Sequence, residues 1–175
     1  MSSIFLLLLL IILVILSGFL SGSETAITAT SKARILYKKK RGSKRAGYVL
    51  QLLDKKDNVI STLLLSNNLV NILASSLATA FFYDIFGVEG IFYATLIMTI
   101  VIVIFAEVLP KTYALNRPNR TALLIAPIIY YLNKILFVFI FVINLIVSLI
   151  FRKNDNDIKN NDLQSEEELK GVIDL

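Results

Sequence analysis

The run "IFLLLLLIILVILSGFL" at positions 4–20 carries no charged residue, and three further apolar blocks of similar or greater length follow it. A soluble helix keeps a charged or polar face along its whole length, whereas these blocks are apolar nearly throughout. They must be covered on all sides by lipid or by one another. The segments run from Ile4 to about Gly22, Val59 to Phe82, Ile91 to Leu109 and Ala122 to Phe151, each long enough to approach the roughly 20 residues that cross a bilayer. Closed backbone hydrogen bonding in lipid favours helices, so the fold class expected is an all-α membrane protein.

Lysine and arginine set the orientation. Ten of the 18 basic residues fall between Lys32 and Lys56, which marks a cytoplasmic membrane surface and not a nucleic-acid site. The N-terminal run resembles a signal peptide in its apolar stretch but lacks a basic leader, which favours a retained helix with its N-terminus outside. "YDIFGVEG" at 83–90 carries only acids and is expected outside. Lys111, Arg117 and Arg120 return the chain to the cytoplasm after a third span.

Three spans, about 4–22, 59–82 and 91–109, leave the fourth segment without a partner in parity. Pro127 and the pair Asn133 and Lys134 divide 122–151 into pieces too short for an ordinary span. The expectation is a broken, belt-like helical segment along the cytoplasmic side; a long tilted fourth span is the alternative. Residues 152–175 read as a polar linker, then a capping box at Ser165 and Glu168 that opens a helix of an absent cytosolic domain. No internal repeat is evident.

Cysteine and histidine are both absent, which removes disulfides, thiolate or imidazole metal sites and Cys or His nucleophile and base pairs. With no second acid clearly paired with Glu107, an intramembrane enzyme is disfavoured. Oxygen chemistry remains, and it is placed unusually. "LSGFLSGSETA" puts Gly18 and Gly22 four apart, the spacing of close helix approach, followed by Ser21, Ser23 and Glu24. "STLLLSNNLVNILASS" puts Asn67 and Asn71 on one helix face, flanked by Ser66 and Asn68. "FAEVLPK" ends the third block with Glu107, and Pro110 has no N–H for the Ala106 carbonyl. The plainer readings are helix packing and an interfacial cap for the first stretch, interhelical amide bonding for the second, and an i, i+4 pair of Glu107 with Lys111 for the third. Taken together, the clusters lie at similar depth on three helices. They suit a hard cation such as magnesium, calcium or sodium.

"SGSETA" at 21–26, "LLLSNNLVNI" at 63–72 and "AEVLPK" at 106–111 resemble, in order and separation, the transmembrane domain of the CNNM/CorC family of magnesium transporters. The resemblance implies a homodimer, each protomer with three transmembrane helices and a cytoplasmic belt, followed by a CBS-pair domain that binds ATP. It implies location in the plasma or inner membrane with a cytoplasmic C-terminus, and magnesium export coupled to sodium entry. The implied ligands are Ser21, Ser23, Ser66, Asn67, Asn71 and Glu107, with Glu24, Asn68 and Lys111 in secondary or coupling roles. Gly18, Gly22 and Pro110 would serve packing or hinge motion. Ser66 and Ala106 depart from the glycine that the resemblance leads one to expect at these positions, but both are small. The rival functions are a magnesium sensor or accessory subunit of other transport systems, and a structural dimerisation module.

Overall fold

The computed structural model describes residues 3–136 together with 139 and 142, and contains no strand among them. The second half of the fourth apolar segment, apart from those two positions, and the polar tail lie outside the described residues.

Helix α1 (Ser3–Ala29) does not stop near Gly22 as expected; it carries the whole "SGSETA" stretch. The reason is local: the hydroxyls of Ser23, Thr25 and Thr28 donate to the carbonyls of Phe19, Ser21 and Glu24 at 2.6, 3.3 and 2.6 Å. Polar side chains satisfied on their own helix need no break in it.

The basic stretch after α1 is not an open loop. It folds into α2 (Lys32–Lys40) and α3 (Lys44–Asp54), turned at Gly42, whose φ of +87° favours glycine. Ser43 caps α3 by accepting from the Ala46 N–H at 3.4 Å. On α3, Ala46, Val49 and Leu50 repeat at helical spacing and are buried against α7 (Pro118–Ile135), which turns Ala122, Ile125, Ala126 and Ile129 inward. The Tyr48 and Tyr130 rings, 5.3 Å apart, extend this contact.

Helix α7 passes through Pro127 and ends at Ile135, so the expected break at Pro127 does not occur. One lost N–H is tolerated where both neighbouring turns are held by buried Ala122, Ile125, Ala126 and Ile129. The helix ends just after Asn133 and Lys134, the pair expected to divide the segment, and Asn133 also ties this end to α4: the Thr62 hydroxyl lies 2.7 Å from Asn133 Oδ1.

Two longer elements complete the bundle. Helix α4 (Lys56–Phe86) turns at Gly87 (φ +64°) into α5 (Glu89–Val101), then a π-helical segment, Ile102–Val108, and α6 (Leu109–Asn116). The turn is tight because Gly90 lies against α4; a Cβ there would come within 2.2 Å of the Phe82 carbonyl oxygen. Three stretches are long and apolar enough to cross a membrane: Ile4–Ala29, Lys56–Phe86 and Glu89–Asn116, with 26, 31 and 28 residues. At about 1.5 Å per residue they reach roughly 40 to 46 Å, so their ends extend past the hydrocarbon core. The chain is a multi-pass membrane protein.

Two packing regimes follow. At the basic end, Ile27, Ile35, Val49, Leu52, Val59, Leu63 and Ile125 form one buried cluster, where water is the alternative and each large side chain gains about 1.5–3 kcal/mol by burial. Within the bilayer, lipid is as apolar as leucine, so association depends on close fit. Small residues accordingly line that contact, with Ala74, Ala78 and Ala94 buried beside Met98.

A candidate intramembrane cation site

Helices α1 and α4 run antiparallel. The Lys56 ammonium reaches the Thr28 carbonyl at 3.4 Å at one end, and Ser17 meets Asn67 and Asn71 deeper in. The Ser17 Oγ lies 2.7 Å from Asn67 Oδ1 and 2.5 Å from Asn71 Oδ1. A hydroxyl has one proton, so it donates to one amide oxygen at a time and leaves the other facing it without a donor. Three oxygens thus converge with one hydrogen between them, an electron-rich point in a low-dielectric setting.

Ser21 lies one turn along the same face of α1. It is fully buried, and its Oγ is the buried side-chain polar atom without a hydrogen-bond partner among the described residues. A buried hydroxyl left unbonded costs on the order of 1–3 kcal/mol; a cation would relieve it by using the lone pairs.

Ser23 is buried too, but two residues from Ser21 is about 200° around the helix, and its proton goes to the Phe19 carbonyl. Ser66 is buried and donates to the Thr62 carbonyl at 2.7 Å. Asn68, one residue on from Asn67, is exposed on a different face of α4, and Glu24 is half-buried. The structure brings together Ser17, Asn67 and Asn71, with Ser21 beside them.

The third span is distorted where it packs on the glycines of α1. In the π-helical segment the Leu109 N–H donates to Ile104, five residues back. The next donor in that register would be Pro110 to Phe105, and Pro110 has no N–H. The carbonyl deprived of this donor is therefore Phe105's, one residue before the Ala106 carbonyl that an α-helical count selects. It faces α1: a Cβ on Gly18 would lie 3.1 Å from the Phe105 oxygen and 3.2 Å from Pro110 Cγ, and one on Gly22 3.3 Å from Pro110 Cβ. The two glycines let the proline ring seat on α1 beside the serines.

Glu107 is half-buried within the same segment and makes no hydrogen bond or ion pair among the described residues. The i, i+4 pair with Lys111 is not formed; the Lys32–Asp54 bridge on the surface, at 2.8 Å, is the ion pair found there. No group of three or more His, Cys, Asp or Glu gathers among the described residues. The oxygens brought together are hydroxyl and amide oxygens, chemistry suited to hard cations and poorly to soft ones.

Ser17 was not anticipated from the sequence. The signal was present in the spacing of Ser17, Ser21 and Glu24, i, i+4 and i+7 on one helical face, but Ser17 lies among apolar residues and ahead of the recognisable motif.

The family model for the cyclin M transmembrane N-terminal domain (CNNM) matches residues 8–175. The chain is 36% identical over 164 residues to the UPF0053 inner membrane protein YfjD of Escherichia coli, covering 90% of this chain and 37% of that protein. It is 33% identical over 145 residues to a UPF0053 protein of Haemophilus influenzae, covering 83% and 34%. A DUF21 domain-containing chloroplastic protein of Arabidopsis thaliana, At1g55930, is 32% identical over 124 residues, covering 70% and 18%. The chain thus spans little more than a third of the bacterial relatives' length.

Proposed function

The chain belongs to the CNNM family, and from that premise we propose that it moves magnesium across the membrane through the oxygen cluster between α1, α4 and the π-helical segment. The observation that carries this reading is the convergence of Asn67 and Asn71 on the single proton of Ser17, with the unpartnered Ser21 one turn away. Magnesium gives up water reluctantly, so a site that strips it must offer several fixed oxygens. Ser17, Ser21, Asn67, Asn71 and the Phe105 carbonyl are candidates, with Glu107 supplying formal charge. Ser23 and Ser66 donate their protons within their own helices, which leaves their lone pairs free to bind a cation.

In this account the basic end of the bundle faces the cytoplasm, with the N-terminus outside. Magnesium enters from the cytoplasm, and the Pro110 contact on Gly18 and Gly22 is the joint about which α6 shifts to open the other side. Export driven by sodium entry, assembly as a homodimer and regulation by ATP through a cytosolic CBS-pair domain complete the proposal for the whole protein. The function is transport, not catalysis.

The test is flux. Full-length protein reconstituted in vesicles should move magnesium, and an opposing sodium gradient should accelerate it. Protein that binds magnesium but moves none would be a sensor. If Asn71→Ala and Glu107→Ala alter dimer stability but leave magnesium-dependent thermal stabilisation unchanged, the domain is a structural dimerisation module.

A further inference from the structure

We propose that the turn between α2 and α3 is a binding site for the phosphate of an anionic membrane lipid. Eight cations lie between Lys32 and Arg45, and no acid occurs between Glu24 and Asp54. Lys32 is bridged to Asp54; Lys38, Lys39, Lys40, Arg41, Lys44 and Arg45 are exposed and have no acidic partner among the described residues. Two of these, Lys44 and Arg45, occupy the first turn of α3, which holds no acid. The helix dipole repels cations there, so the turn gathers positive charge that its own fold does not neutralise.

The charge surrounds a cavity. Tyr37, Lys38, Arg41, Gly42, Ser43 and Leu123 line a cleft of about 480 Å³. The Arg41 guanidinium lies over the Tyr37 ring, 5.7 Å from its centre, which holds a planar fork of donors at the cleft. The walls thus pair two cations with an aromatic ring and the Leu123 side chain.

The surroundings favour a lipid over a soluble anion. Leu36 and Tyr37 are exposed beside the cleft, and α7 exposes Leu124, Ile128, Tyr131 and Ile135 on the side away from its buried stripe. An apolar face turned away from the protein needs an apolar cover, which acyl chains beside the headgroups supply. Helix α2 starts three residues after α1 ends, at the level where headgroups sit. Anionic headgroups attract juxtamembrane cations by about 1 kcal/mol each.

The experiment uses the full-length protein in neutral detergent. Phosphatidylglycerol, phosphatidylcholine or inorganic phosphate is titrated in turn, and thermal unfolding and lipid adducts in native mass spectrometry are read. Phosphatidylglycerol should bind and raise the melting temperature more than the other two. The double variant Lys38→Ala, Arg41→Ala should weaken its binding by about fivefold per charge removed. The charge-matched Lys55→Ala, Lys134→Ala variant, altered in a different cavity, should bind as wild type. Equal effects of phosphatidylcholine, full replacement by inorganic phosphate, or equal losses in both double variants would overturn the assignment. Magnesium transport enters none of these readouts, so the lipid site stands or falls independently of it.

Discussion

The Ser17 hydroxyl on α1 lies 2.7 Å from the Asn67 side-chain oxygen on α4, and the same Oγ faces Asn71 one turn further on. That shared proton joins the first two spans at the point where the proposed cation site is centred.

Ser17→Ala removes the proton and one oxygen. The loss of fold stability should be small, about 0.6 to 2 kcal/mol, because interhelical hydrogen bonds in bilayers are individually weak. Magnesium-dependent thermal stabilisation should fall far more. Melting curves with and without magnesium separate the two effects.

Glu107→Gln keeps the shape and removes the charge. Magnesium affinity should fall on the order of tenfold or more, since the proposed site takes its formal charge from Glu107 and a pair of unit charges at about 4 Å is worth about 1 kcal/mol in water and about 4 kcal/mol at a partly screened protein site. Lys111→Ala should leave affinity within about twofold, because the Glu107–Lys111 pair is absent from the structure. Binding isotherms for both variants check this; a larger loss with Lys111→Ala would restore the pair.

Gly18→Ala places a methyl group 3.1 Å from the Phe105 oxygen and 3.2 Å from Pro110 Cγ. Overpacking of this kind costs roughly 1–3 kcal/mol and should lower the melting temperature. Gly47→Ala, where an added Cβ meets nothing within 4 Å, should not.

Pro110→Ala restores an N–H that can donate to Phe105 in the π register or to Ala106 in the α register. The deprived carbonyl is then satisfied and the ring contact on Gly18 and Gly22 is lost. Stability should stay near wild type while magnesium binding and flux both decline, measured by thermal unfolding and by vesicle assay.

Much of this architecture was legible in the sequence. Of the four apolar blocks, the first three, charged only at Glu107, dictated three spans, since little but lipid or another helix can surround them. Gly18 and Gly22 marked a close contact, and Pro110 proved to be what they receive. The polar ends of the spans were harder. Ser23, Thr25 and Thr28 look like a helix terminus, yet their hydroxyls bond within α1 and extend it to Ala29. The basic segment reads as a loop by charge alone, although Ser43 and the spacing of Ala46, Val49 and Leu50 encode a capped amphipathic helix. Pro127 signals a break that tertiary packing overrides. The π-helical segment has no residue code of its own; it moves the deprived carbonyl from Ala106 to Phe105, a shift that only the backbone register reveals.

An experimental structure determined in magnesium tests the central claim most directly. The account predicts an ion about 2.0–2.1 Å from oxygens of Asn67, Asn71 and at least one of Ser17 and Ser21, with Ser17 released from one asparagine. An ion held elsewhere, with Ser17 still hydrogen-bonded between Asn67 and Asn71 and Ser21 unpartnered, would contradict it.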